Sequence, residues 1–267
     1  MKLHTDTFFF DTELAKNLYA GFHSKRPEFR SHKDIIKNWW LICWAGQWAD
    51  SNKVIGASVL SNKKRFAEDP TDDYHAVKTL YDQIKKAQVI IGHNMKKFDW
   101  KKFMARVTYH GLPPISMPLI IDTMLMAKAI AEYDSNSLSF LCSYHGLPNK
   151  ATNRGNDLWN DIAIYALQKD YKKLRKCITE MVVYCGPDVI AVKALYEYLL
   201  PYAPPRFRLN QNLSHADGVD GCPCCKSDNL QSRGYALTTV GKYQKFQCQD
   251  CGSWSQGKKN LKKVSIK

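Results

Sequence analysis

The sequence predicts an α/β protein, a mixed sheet flanked by helices, followed by a small cysteine-rich module. Three observations carry that prediction. Short, strand-length apolar runs dominate the first part of the chain and helix-length segments interleave with them later. The longest helical segment, Tyr171–Leu200, runs into Pro201, Pro204 and Pro205, which stop it. Beyond those prolines, Cys222, Cys224, Cys225, Cys248 and Cys251 crowd together, whereas Cys43, Cys142, Cys177 and Cys185 are scattered among apolar or helical residues.

Taken in order, Phe8-Phe9-Phe10 marks a short buried strand over Thr7–Phe10. Strands are expected over Trp39–Trp48 and Lys53–Val59, then a helix over Tyr74–Ala87. The apolar run Val89–Gly92 is a further strand, with a helix over Trp100–His110 and a short strand at Leu119–Ile121. Helices follow at Thr123–Ala131, Ser137–Tyr144, Asp157–Gln168 and Tyr171–Leu200, the last with a break expected at Gly186-Pro187. The expected organisation is one domain over residues 1–200, a linker over 201–220 and a small module with a basic tail over 221–267.

The 267-residue chain carries a formal net charge of +14. Eleven Lys and Arg against four acids place half of that charge after Pro205. Such an excess favours polyanionic partners, nucleic acid first. No apolar run approaches the ~20 residues that cross a bilayer, and the most apolar stretch, Met117–Ile130, contains Asp122 and Lys128. The first residues lack a signal-peptide core, so a cytoplasmic location without membrane attachment is expected.

Asp11 and Glu13 follow the phenylalanines two residues apart, on one side of an extended chain. Two carboxylates at a buried strand end either reach solvent or share a cation, a divalent metal above all. Asp99 begins a helix, where Asp also serves as a cap. Tyr184 and Asp188 stand four apart, on one face of a helix.

In order, the chain reads Asp11-x-Glu13 after a hydrophobic strand, Asn94-x3-Phe98-Asp99, and Tyr184-x3-Asp188. Ile120-Ile-Asp122-Thr123 and Leu138-x2-Leu141 before His145-Gly-Leu-Pro lie between them. This set resembles the DEDD superfamily of 3′–5′ exonucleases, in its tyrosine-containing (DEDDy) branch, over about residues 5–200. The superfamily has a ribonuclease H-like fold and includes the proofreading domains of family A and family B DNA polymerases. The resemblance implies two Mg²⁺ or Mn²⁺ ions flanking a terminal phosphodiester. It gives Asp11 the bridging place between them, Glu13 and Asp188 the water-activating ion, and Asp99 support of the other. It gives Tyr184 the attacking water, and Asn94 and Phe98 the pocket around the terminal nucleotide. Asp122 and His93 are expected to be structural. Arg26, Arg30, Lys96, Lys97, Lys101 and Lys102 either track phosphates or form a solvated face.

Cys222-Pro-Cys-Cys225 and Cys248-Gln-Asp-Cys251 are two C-x2-C knuckles separated by 22 residues, a spacing that fits one structural Zn²⁺. Cys224 is the surplus thiol. The intervening Gly234–Phe246 reads as two short strands around a glycine turn, so the module looks like a zinc ribbon. Arg233, Tyr235, Lys242, Tyr243, Lys245, Phe246 and Trp254 interleave cations with rings. They offer a stacking surface for single strands, with Tyr235, Tyr243 and Trp254 as the binding rings, or else the ribbon's own small core or a protein-docking face.

The expected function is hydrolysis at the 3′ end of nucleic acid, with DNA as the expected polymer and single-stranded or frayed ends as the expected substrate. A replication or repair protein is a candidate partner, and a virus-encoded enzyme would work in the host-cell cytoplasm. The alternatives are an inactive nucleic-acid-binding or scaffold protein on the same fold, and a structure-specific or endonucleolytic nuclease.

Overall fold

The computed structural model describes residues 6–19, 32–149, 154–207, 221–222, 225, 227–238 and 241–261. Its strands are β1 (Thr7–Leu14), β2 (Leu18–Tyr19), β3 (Ile35–Lys37), β4 (Leu41–Trp48), β5 (Val54–Ser58), β6 (Val89–Gly92), β7 (Leu119–Asp122), β8 (Leu230–Thr238), β9 (Gly241–Cys248) and β10 (Trp254–Asn260). Its helices are α1 (Lys63–Glu68), α2 (Tyr74–Ile84), α3 (Asp99–Tyr109), α4 (Thr123–Ile130), α5 (Leu138–Tyr144), α6 (Asn156–Gln168) and α7 (Tyr171–Leu199).

The main sheet is mixed, in the order β5-β4-β1-β6-β7. β1 lies at its centre, antiparallel to β4 and parallel to β6, which is parallel to β7. Successive side chains of β1 enter different cores, as a pleated strand requires. Phe8 and Phe10 pack with Leu80, Ile84, Phe103 and Val107 of α2 and α3. Phe9 packs on the opposite face with Ile178, Val192 and Tyr196 of α7. That alternation fixes where the polar end of β1 points: Asp11 and Glu13 share the face of Phe9 and α7, and Thr12 shares the face of α3.

Two expectations are corrected here. The first strand does not end at Phe10 but continues to Leu14, because β4 pairs with it through Asp11, Thr12 and Glu13. The helix does not break at Gly186-Pro187; α7 runs 29 residues with Pro187 inside it. A proline there forfeits one backbone hydrogen bond, and the burial of Tyr184, Cys185, Asp188, Val189, Ala191 and Val192 on both sides of it holds the helix together.

A buried ion cluster ties β4, α2 and α3. Asp73 precedes α2 in the cap position but makes no cap hydrogen bond. Its carboxylate instead accepts from Arg106 Nε (2.7 Å) and Nη2 (2.6 Å) and from the Leu41 amide (2.7 Å), and lies 2.6 Å from His110 Nε2. Removing one partner of a buried pair strands the other. Asp73→Ala is therefore expected to lower unfolding free energy by about 3–5 kcal/mol. Loss of the exposed Lys78–Asp82 pair should leave stability almost unchanged. Urea unfolding of the two variants measures the contrast.

At the C-terminal end, β8, β9 and β10 form a three-stranded antiparallel sheet, one strand more than expected. Much of the expected linker 201–220 and Cys224, Arg26 and Arg30 lie outside the described residues. Among the described residues, no helix is long and apolar enough to cross a membrane.

Candidate metal and nucleic-acid site

β1 and α7 bring three acids together. Carboxylate oxygens of Asp11, Glu13 and Asp188 lie within 4.8 Å of one another. Asp11 and Glu13 come from the same face of β1, and α7 packs across β1 and β4 to deliver Asp188 from the far end of the sequence. Glu13 and Asp188 are buried, and Asp11 is half-buried. Like charges this close require a cation if all three are ionised. Their oxygens are hard donors that suit Mg²⁺ or Mn²⁺ rather than a soft metal.

Tyr184 sits one helical turn before Asp188, buried edge-on against Trp159 with ring centroids 5.9 Å apart. Asp99 stands outside the mutual 4.8 Å group. It is the first residue of α3 rather than its cap, which is Phe98. Its Oδ1 accepts from the Thr12 hydroxyl at 2.5 Å. Burial pushes the Asp99 carboxyl up to about 6, against the lowering effect of that hydrogen bond.

Asp122 is a structural hub. Its Oδ1 accepts from the amides of Met124 (3.0 Å) and Leu125 (3.3 Å), capping α4, and from the Asn94 amide (3.1 Å). Its Oδ2 accepts from the Lys96 amide (3.1 Å). The same carboxylate thus caps a helix and pins the turn that carries Asn94. Asn94 occupies the left-handed region at φ 59°, which Asn tolerates better than most residues. Gly92 permits the turn, since a Cβ there would stand 3.1 Å from the Phe10 carbonyl oxygen and 2.1 Å from Met95 Cε. His93 bridges Thr123 Oγ1 (2.9 Å) and the Asn136 carbonyl oxygen (2.8 Å) through its two ring nitrogens.

Asp11 and Asp188 open onto a cavity of about 520 Å³, whose walls include His93, Asn94, Lys128 and Asn136. The side-chain oxygens of Asn94 and Asn136 are buried with no hydrogen-bond partner among the described residues. Phe98 does not line this cavity. It is 43% exposed, beside Lys102. Lys96, Lys97 and Lys101 are exposed.

Two residues outside the sequence motifs, Thr12 and Cys185, also touch these acids. The Cys185 Sγ lies 3.7 Å from the Asp11 carbonyl oxygen and 3.9 Å from Asp11 Oδ2. Its place three residues before Asp188 was a signal, since such residues share a helix face. Thr12 carried the opposite signal, because period two sends it away from Asp11 and Glu13.

The four thiols Cys222, Cys225, Cys248 and Cys251 also lie within 4.8 Å of one another. Sγ separations are 3.6 Å for Cys222–Cys251 and 3.5 Å for Cys225–Cys248. A tetrahedral Zn²⁺ with bonds of about 2.3 Å has ligand separations of about 3.8 Å, so the set fits. The Ser253 hydroxyl lies 3.2 Å from Cys222 Sγ and 3.1 Å from Cys251 Sγ. Burial raises Cys225 and Cys248. Cys251, against the upward pull of burial, is held down at about 7 by hydrogen bonds from the Ser253 side chain and backbone.

The rings of Tyr235, Tyr243 and Trp254 do not form one surface. Tyr235 pairs with Gln244, Trp254 with Gln247 and Tyr243 with Ala236. Odd and even positions of β9 point to opposite faces, so Tyr243 and Trp254 share one face and Tyr235 takes the other. Lys242 Nζ lies 3.8 Å from the Tyr235 ring centroid and Lys245 Nζ 4.4 Å from that of Trp254.

Fold and sites together define an α/β protein with a mixed central sheet, an acidic cluster able to chelate a metal and a C-terminal four-cysteine cluster. No protein-family model and no curated protein sequence matches the chain. Among solved structures, the family B DNA polymerase from the hyperthermophilic archaeon Pyrobaculum calidifontis aligns with 73% of this chain at a TM-score of 0.42 and 15% identity. The chain covers 28% of that polymerase, a likeness too distant to assign residues.

Proposed function

We propose that the chain is a metal-dependent 3′–5′ exonuclease of the DEDDy kind, on a ribonuclease H-like fold, with a zinc ribbon at its C-terminal end. The observation that carries this reading is the meeting of Asp11, Glu13 and Asp188, two of which, Asp11 and Asp188, line a cavity with the buried amide oxygens of Asn94 and Asn136. Divalent ions held there supply Lewis acidity for a phosphodiester and lower the pKa of water.

The protein's own groups do the rest. Asp11, Glu13 and Asp188 would supply the primary ligands, with Asp99 in support. The Tyr184 hydroxyl orients the attacking water from one turn before Asp188. Asn94 and Asn136 hold the terminal nucleotide through their amides. Cys222, Cys225, Cys248 and Cys251 hold Zn²⁺ and fold the ribbon around it. The domain boundaries proposed are 1–200 and 221–267.

The test is a 5′-labelled single strand incubated with Mg²⁺ or Mn²⁺. Products should shorten progressively from the 3′ end, and a 3′-blocked or circular strand should survive. Absence of metal-dependent cleavage, with binding retained, would assign the fold to an inactive binding protein. Cutting of the circle at the linear rate would assign it to an endonuclease.

A further inference from the structure

Helix α3 carries a stripe of alternating rings and cations that the acidic cluster does not use. It starts at Phe98, beside Asp99. Lys102 Nζ lies 6.0 Å from the Phe98 ring centroid and 4.1 Å from that of Trp39. Arg106 Cζ lies 5.6 Å from the Trp39 centroid and 4.0 Å from that of Tyr109. Residues 98, 102, 106 and 109 fall on one helix face, and Trp39, from the segment entering β4, completes the series. Tyr109 is 71% exposed.

The two cations differ in commitment. Arg106 is tied to Asp73 by two hydrogen bonds. Lys102 has no carboxylate partner among the described residues, and burial alone acts on it, lowering its pKa. An ammonium held over a ring with no acid opposite is a place for an anion. Beside the stripe lies a cavity of about 670 Å³, within the range that admits a bound ring system. Trp39, Trp40, Tyr74, Arg106 and Tyr109 line it, and its two carboxylates, Asp69 and Asp72, are paired with Lys37 and Arg65. Trp40 is 2% exposed, and its indole Nε1 has no hydrogen-bond partner among the described residues.

We propose that this stripe and cavity bind single-stranded nucleic acid, with unpaired bases stacked on Trp39 and Tyr109 and a backbone phosphate on the Lys102 ammonium. Exposed Phe98 and Tyr109 and half-buried Trp39, interleaved with cations, suit a strand whose base faces are free, since every base has a face to stack and every link a charge. A duplex hides those faces and offers phosphates alone. Lys96, Lys97 and Lys101, exposed around the start of α3, add the charge complementarity. The stripe begins at Phe98, the residue before Asp99, and leads away from it along α3. That a strand bound there is the substrate rests on the exonuclease reading; the binding does not.

Fluorescence anisotropy of the full chain with a 5′-fluorescein 20-nucleotide oligothymidylate, without added divalent cation, tests the proposal. Trp39→Ala combined with Tyr109→Ala should weaken binding about tenfold or more, the scale of a lost base–ring stack. Lys102→Gln should weaken it and reduce the salt slope by about one. Lys176→Gln, a charge-matched change on the exposed face of α7, should have little effect. A blunt duplex of the same length should not respond to the aromatic change.

Binding at wild-type strength by the double variant, with an unchanged melting temperature, would overturn the proposal. So would a parallel loss of duplex binding, or displacement by poly-glutamate as effective as by unlabelled oligothymidylate. If the double variant does not fold, Tyr109→Ala and Lys102→Gln decide the matter on the same criteria. A wild type that binds through these residues but never hydrolyses with Mg²⁺ or Mn²⁺ would refute the exonuclease reading and leave this proposal standing.

Discussion

Asp11→Asn should reduce metal-dependent hydrolysis of a labelled single strand by at least about a hundredfold, beyond the 10–100-fold cost of disturbing a metal's outer shell. The amide keeps the shape of the carboxylate, so the change tests charge and ligation rather than packing. Asp11 is the half-buried member of the three-acid group and the one that lines the cavity together with Asp188. Its replacement leaves Glu13 and Asp188 as the two remaining carboxylates of the group. Relieving repulsion within the cluster should leave the melting temperature of the metal-free protein unchanged or higher. Initial rates across a Mn²⁺ titration, read beside thermal melts, separate lost chemistry from lost structure. A variant that hydrolyses at the wild-type rate would remove Asp11 from the metal site.

Cys248→Ser, or chelation of the wild type, should unfold the three-stranded C-terminal sheet. Zinc in small cysteine modules contributes about 10–16 kcal/mol of apparent binding free energy at neutral pH. A module of this size gains no more than about 3–5 kcal/mol from its own core. Most positions of β9 are only half-buried, so the metal has little to fall back on. The wild type should release one equivalent of Zn²⁺ to a colorimetric chelator, and limited proteolysis should then cut within residues 227–261 while the 6–207 portion persists. Serine lacks the soft thiolate that Zn²⁺ prefers, so the variant should be purified with little metal. Retention of a protease-resistant tail after stoichiometric zinc loss would show that the sheet stands on packing alone.

Much of the fold could be read from short-range pattern. The triple phenylalanine, Val89–Gly92 and Leu119–Asp122 are strands in the structure, and α2 to α7 fall where periodicity put them, within a few residues. The four-cysteine cluster was legible because knuckle spacing is a local property. Local rules failed where tertiary contacts outweighed them. Pro187 reads as a break, yet the burial of α7 on the sheet carries the helix through it. Asp73 stands where a cap belongs, yet its carboxylate serves Arg106 and the Leu41 amide. Tyr235, Tyr243 and Trp254 read as one surface until strand register divides them between two.

The acidic site shows the same division. Alternation along Asp11-Thr12-Glu13 places two carboxylates on one side, since successive strand residues point oppositely. Four-residue spacing places Tyr184 above Asp188, since a helix turns every 3.6 residues. Covalent geometry settles both, and any folded context would preserve them. Whether the two pairs ever meet depends on α7 lying across β1 and β4, a matter of burying one helix face against one sheet face. The same packing brings Cys185 to Asp11, while the other face of the sheet takes Thr12 to Asp99 and sets Trp39 between Lys102 and Arg106. None of these meetings has a short-range spacing to announce it, because the partners are joined only by the shape of the core between them.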